Sequence, residues 1–188
     1  MSDHSKQGGS AKPARQEAAR VTELEKMIDD SPTPERVCLK LSQILRVERN
    51  EVALLRLEKG SLKFVYPAEL RSAGAIPLSG SAVAARTAVT RAPLLSNSFA
   101  RVKHASLFET VKLGGEEIER TEQMPIQKII SVPVVDEAGE VVGVVQLSRK
   151  GLDSSLAGVD FTSGDLTLLE HTAEVIARMP FMRDAAPL

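Results

Sequence analysis

Hydrophobic positions recur along most of the chain with one of two periods, and the switches between them mark out its elements. Ala14, Ala18, Val21, Leu24 and Ile28 fall on one stripe of an amphipathic helix that ends near Asp29 and Asp30. Thr33-Pro34-Glu35 then supplies a cap, a proline at the first helical position and an early acid that complements the helix dipole. Val37, Leu41, Ile44 and Leu45 follow on one face of a second helix, which runs to about Val47. Period two takes over in EVALLRLE (51–58) and SLKFVY (61–66), and the intervening Lys59-Gly60 predicts a β-hairpin. Pro77-Leu78-Ser79-Gly80 precedes the Ala-rich helix SAVAARTAV, for which Ser79 is the candidate cap, and a short strand follows around Pro93-Leu94-Leu95.

Residues 97–125 are the least regular stretch, with a candidate helix over 105–112, then Gly114-Gly115 and the acidic GGEEIERTE. Beyond it, IQKIISVPVV and VVGVVQLSR are β-branched runs joined by Asp136-Glu137-Ala138-Gly139, which predicts an antiparallel hairpin at the centre of a sheet with both faces apolar. Strict alternation places Val142, Val144, Gln146 and Ser148 on one face of the second strand, and Val141, Gly143, Val145 and Leu147 on the other. Thr162 and Asp165 form a capping-box pattern inside a Phe161/Leu166 staple, so the last helix starts there. That helix has two apolar stripes: Leu166, Leu169, Ala173 and Ile176, and Leu168, Val175 and Met179. One faces the sheet, and the other needs the Ala14 helix or a second copy of the chain.

Composition narrows the function classes. The chain has 188 residues, a formal charge of −1 and no apolar run near the ~20 residues of a membrane span, which fits one soluble domain. With 24 basic against 25 acidic side chains there is no field to attract phosphate backbones, and aromatics at 3% leave little for base stacking, so neither nucleic acid nor membrane is an expected partner. A single cysteine, Cys38, and an N-terminus without a signal-like apolar run point to the cytoplasm. The expected organisation is a flexible tail over 1–13, an N-terminal helix over 14–30 available for dimerisation, one domain over 31–180, and a C-terminal tail over 181–188.

Three stretches, IPLSGSAVAARTAVTRAPLLSN (76–97), IISVPVVDEAGEVVGVVQLSRKG (129–151) and FTSGDLTLLEHTAEVIA (161–177), carry a further signal when taken in this order of elements. Together they resemble a GAF domain, with the likeness covering roughly residues 33–179. The resemblance implies an α+β fold: a five- or six-stranded antiparallel sheet, terminal helices on one face, and a small-molecule pocket under the irregular segment on the other. It implies a sensory or regulatory module that pairs through its terminal helices and signals to a separate output protein. A ligand-free dimerisation or interaction module is the alternative reading.

The pocket candidates are Tyr66, Ser96, Asn97, Phe99, Arg101, Lys103, His104, Phe108, Gln146 and Ser148. Arg101, Lys103 and His104 beside Ser96-Asn97-Ser98 suit a small anionic ligand, a carboxylate or phosphate, against the alternative of a solvated basic loop. Gln146, buried in an apolar sheet, needs a hydrogen-bond partner, which is either a ligand or water and backbone. Asn97, Lys103 and Phe108 occur in the order of the cyclic-nucleotide members' pattern, but Lys112-Leu113 stand where its acidic pair belongs, which leaves the ligand unnamed. Cys38 lies in an early helix, so no covalent bilin is expected, and one thiol supports no intramolecular thiol relay. Glu116, Glu117 and Glu119 read as an acidic loop, no metal site is expected, and no HExxH, phosphate-cradling or dinucleotide run is present. The chain therefore reads as a binding protein and not as an enzyme.

Overall fold

In the computed structural model, which describes residues 11–26, 32–101 and 124–183, six strands form one antiparallel sheet. They are β1 (Val52–Glu58), β2 (Ser61–Tyr66), β3 (Ala75–Pro77), β4 (Leu94–Ser96), β5 (Ile126–Val135) and β6 (Val141–Lys150), in the order β3-β2-β1-β6-β5-β4. The helices are α1 (Ala11–Glu25), α2 (Pro34–Leu45), α3 (Val83–Thr90), α4 (Ser163–Ala177) and α5 (Pro180–Arg183). The β5–β6 ribbon is interior, as its apolar faces require, with the three-residue β4 shielding its outer side. The β1–β2 turn works because Lys59 and Gly60 both take positive φ, 47° and 78°, the geometry that matches the twist of a two-residue hairpin.

Two cores sandwich the sheet. On one face, Val52 and Leu54 of β1, Ile130, Val132 and Val134 of β5, and Val145 and Leu147 of β6 pack against α2, α4 and α5. Leu24 of α1 is fully buried in the same cluster and Arg178 donates to Glu25 at 3.0 Å, so α1 is a helical neighbour for α4 within the chain. On the other face, α3 lays Ala84, Ala85 and Ala88 on Ala53, Leu55, Phe64 and Val144. The small alanines let the helix approach the sheet closely.

The caps of α2 and α4 form as their sequences indicate. Thr33 accepts from the Arg36 amide at 3.3 Å, and Thr162 and Asp165 exchange bonds in a full capping box. Ser79, in contrast, does not cap α3. The turn closed by Gly80 N donating to Pro77 O takes up Ser79, and the helix starts later, from Ala82, without a side-chain cap. The sequence pattern also omits β3, a short edge strand paired with β2.

Two β-bulges alter the expected facing of side chains. Between Val134↔Gly143 and Val135↔Val141 the register leaves Val142 unmatched, so Val142 packs toward the helix-side core and Val141 toward the α3 side. That reverses strict alternation for these two residues. A second shift, between Leu54↔Tyr66 and Leu55↔Phe64, carries Tyr66 to the helix-side core while Phe64 stays on the α3 side. Gly143 is required where it stands, because a Cβ there would lie 2.2 Å from the Leu55 carbonyl oxygen and 2.5 Å from the Met182 methyl of α5. Of the expected tails over 1–13 and 181–188, residues 11–13 belong instead to α1 and 181–183 to α5, while 1–10 and 184–188, the helix over 105–112 and the acidic run at 114–122 lie outside the described residues.

Candidate functional site

The α3 face of the sheet holds a polar chain inside an apolar layer. Ser131 of β5 and Gln146 of β6 are directly opposed partners in the ladder, 0% and 5% exposed. The Gln146 side-chain amide donates to Ser131 Oγ at 3.0 Å, and Ser131 Oγ shares a 2.8 Å hydrogen bond with Thr87 Oγ1 of α3. Thr87 reaches it because Ala84, Thr87 and Ala88 sit on the buried face of the helix, at i, i+3 and i+4. A buried amide in this layer must be matched by hydrogen bonding, and the Ser131 hydroxyl does that here, itself bonded to Thr87.

Toward β4 the same face is packed by the first turn of α3 and by the Phe99 turn. Leu94, Phe99, Ile126 and Ile129 form a small apolar cluster with Val83, Phe99 being 2% exposed. Ser96 ends β4 opposite Ile129, on the same side as Leu94. Ser148, 2% exposed, donates to the Glu51 carbonyl at 3.3 Å. This end combines that apolar cluster with the hydroxyls of Ser96 and Ser148 and the carboxamide of Gln146 on the same face.

The candidates taken from sequence do not all gather there. Gln146, Ser148, Ser96 and Phe99 share this face. Tyr66 lies on the opposite one, where its hydroxyl donates to Arg49 O at 3.2 Å and its pKa is raised by burial first and then by neighbouring Cys38. Asn97 grips the chain ahead of α4: its amide donates to Phe161 O and its oxygen accepts from Phe161 N, both at 2.9 Å. Arg101 closes the 3-10 turn Phe99–Arg101, and Lys103, His104 and Phe108 lie outside the described residues. Thr87 and Ser131 were missed. Their signal was a lone hydroxyl within an apolar run, Ser131 in phase with Gln146 across the hairpin.

Cys38 is fully buried on the helix face, and its thiol is pushed up by burial first and by Glu35 second, which suppresses the reactive thiolate. Among the described residues no group of three or more His, Cys, Asp or Glu is placed to hold a metal ion, and no helix is long and apolar enough to cross a membrane.

None of the curated proteins matches the chain in sequence. Solved structures do match in fold. The GAF domain of a Coxiella burnetii phosphoenolpyruvate-protein phosphotransferase aligns with a TM-score of 0.65 and 11% identity, over 88% of this chain and 93% of that one. The A. aeolicus nlh2 GAF domain in an inactive state aligns at 0.59 and 17%, over 92% and 99%. The reduced form of fRMsr from Staphylococcus aureus aligns at 0.54 and 16%, over 87% and 94%. At these identities the likeness establishes the fold, which enzymes and sensor domains share. The family model for the GAF domain matches residues 35–179, from the first turn of α2 to just past α4, and on that match the chain belongs to the GAF domain family.

Proposed function

We propose that this GAF domain is a sensory or regulatory module that binds a small molecule on the α3 face, at the β4–β5–β6 end, and passes the change to its terminal helices. The observation that carries this reading is the Thr87–Ser131–Gln146 chain, a buried polar network laid across the two strands that also build the α4 core. Ser131 and Gln146 face the α3 side, while their strand neighbours Ile130, Val132, Val145 and Leu147 face α2 and α4. A ligand that repacks the first set displaces the second. The basic run Arg101-Val102-Lys103-His104, which begins two residues after Phe99, favours a carboxylate or phosphate ligand. The signal leaves through α1 and α4, to a second copy or a separate output protein.

Native mass spectrometry of freshly purified protein, with a thermal-shift scan of carboxylates and phosphates, tests the reading. A true ligand at about 100 times its Kd adds about 2.7 kcal/mol, which raises Tm by roughly 5–10 °C for a chain of this size. Retained small-molecule mass or such a shift, abolished by Gln146→Leu, is the expected result. A clean dimer with no bound mass and no shift across the panel favours the ligand-free interaction module instead.

A further inference from the structure

The first ten residues after β6, 151–160, combine unusual exposure with unusual anchoring. Leu152, Leu156 and Val159 are 70%, 65% and 74% exposed, and among the described residues Val89 is the other large hydrophobic left open. Scattered apolar side chains are ordinary on a surface, but three on one short loop are not. Ala157 N donates to Asp153 O at 3.2 Å, closing one helical turn that carries Leu156, with Leu152 just ahead of it.

The loop is held rigidly from below. At its start Gln127, 7% exposed, donates to Gly151 O at 2.9 Å, and Gly151 N donates to Pro125 O at 3.1 Å. A Cβ on Gly151 would meet Ala157 N at 2.8 Å, so the loop folds back closely on its own start. In its middle the ammonium of Lys128, a side chain 4% exposed, donates to Gly158 O at 2.6 Å and pairs with Asp160 at 2.8 Å. At its end Asn97 brackets Phe161, whose ring lies 4.7 Å beneath the Arg149 guanidinium. Asp153 organises the turn itself by accepting from Ser155 N, Ser155 Oγ and Leu156 N. Burying a lysine and a glutamine is costly unless their bonds are met, and here those bonds fix a loop that hides none of its large apolar side chains.

We infer that the 151–160 loop is a preorganised docking surface for an amphipathic helix of a partner protein whose apolar stripe is edged by lysine or arginine. Charge selects the edge. Lys128, Asp153, Ser154, Ser155, Gly158, Val159 and Asp160 line an open groove beside the leucines, and its cation lies buried on the floor. The charges it offers to solvent are carboxylates: Asp160 is 68% exposed, and hydrogen bonds from Ser155 and then Leu156 hold Asp153 below the usual carboxylate range. Acids on the rim disfavour an anionic membrane. Three exposed apolar side chains on one short loop fall well short of the roughly 20–30 residues a side of a stable dimer, which favours a transient helix over a second copy. The backbone at Gly151, Asp153, Ala157 and Gly158 is engaged within the domain, and the exposed leucines and valine offer side-chain recognition, as in helix-in-groove binding. This inference stands whether or not the α3 face binds a ligand.

The test uses the full chain and a synthetic helical peptide of about 18 residues with leucines at i, i+3, i+4 and i+7, flanked by lysines. Its counterpart carries glutamates in place of the lysines. The expected result is saturable binding of the lysine peptide, at least tenfold weaker for the glutamate peptide and for the Leu152→Ser/Leu156→Ser/Val159→Ser variant, and unchanged for Val89→Ser. All four positions are exposed, so the variants keep the core, and circular dichroism with an unchanged Tm checks this. Equal binding of both peptides, or equal binding by the triple variant, overturns the inference. So does loop-dependent self-association in sedimentation velocity, or loop-dependent binding to vesicles of phosphatidylserine and phosphatidylcholine without any peptide binding.

Discussion

Removing one hydroxyl from the polar chain under α3 should cost more than removing the whole chain. Ser131 is the shared centre: its Oγ accepts from Gln146 at 3.0 Å and bonds Thr87 at 2.8 Å, with all three residues at most 5% exposed. Ser131→Ala strands an amide and a hydroxyl that were both satisfied, and a buried polar group without a partner costs about 1–3 kcal/mol. Two such groups, with some relaxation, give about 2–4 kcal/mol. The triple change Thr87→Val/Ser131→Ala/Gln146→Leu removes donors and acceptors together and keeps shape approximately, so its cost should be about 1 kcal/mol or less.

Urea unfolding measures the contrast. At a slope of about 2 kcal/mol/M the single variant should lower the midpoint by roughly 1–2 M and the triple by roughly 0.5 M or less. A single variant within about 0.5 kcal/mol of the parent, or a triple that equals the sum of its parts, would refute the claim that these groups form one coupled network. The two outcomes also bear on function. A stable triple variant that no longer responds to an anionic ligand places recognition in the network, and one that still responds places it nearer Ser96 and Ser148.

Gly143→Ala should cost about 3 kcal/mol or more, because the new Cβ meets the Leu55 carbonyl of the adjacent strand at 2.2 Å. The other neighbour is the methyl at the end of the Met182 side chain, which can rotate away, so adding Met182→Ala should not restore the urea midpoint; full rescue would locate the strain at α5 instead. Glu58 accepts from Lys63 and Arg56, and those bonds, Lys63's first, hold its carboxyl below the usual range. Its folded pKa is depressed, so its stabilisation is complete above the usual carboxylate range and is lost as pH falls through that range and below. Glu58→Gln should therefore cost about 1 kcal/mol or less near neutrality, as suits a partly solvated pair, and the gap to the parent should close in acid; a gap that widens there would contradict the assignment.

Where local chemistry settles local structure, the sequence was legible. Thr33-Pro34, Lys59-Gly60 and Thr162/Asp165 each define an element boundary within a few residues, and all three do what their residue types require. Ser79 failed as a cap because the Pro77 turn competed for it, a contest that depends on β3 pairing with β2. The bulges at Val142 and Val65 could not be read, since an extra residue in one strand is defined only against its partner, and they decide which face receives Tyr66 and Val141. The site was half legible. Gln146 stood out as an amide in a β-branched run, whereas Thr87 and Ser131 are small hydroxyls that alternation tolerates on either face. Asn97 was noticed for its chemistry and turned out to hold the backbone at Phe161. The loop from Gly151 to Asp160 shows why exposure is hard to foresee, for Leu152, Leu156 and Val159 are core residue types that tertiary anchoring holds in solvent.

The same two strands serve all three surfaces. β5 and β6 present Ser131 and Gln146 to the α3 side, Ile130, Val132, Val145 and Leu147 to α2 and α4, and Gln127 and Lys128 to the loop that follows β6. The sheet is a single layer, so a shift of β5 against β6 that repacks one set moves the others, with no need for a separate path. Such coupling has a defined limit: a ligand biases the helices or the loop only by the difference in its affinity for their arrangements. A tight ligand that contacts only rigid walls would stabilise the domain and signal nothing. On the proposed reading, a ligand that takes the Gln146 N–H now bonded to Ser131 breaks that bond, and the exchange would turn binding on one face into a change in the strands beneath the other.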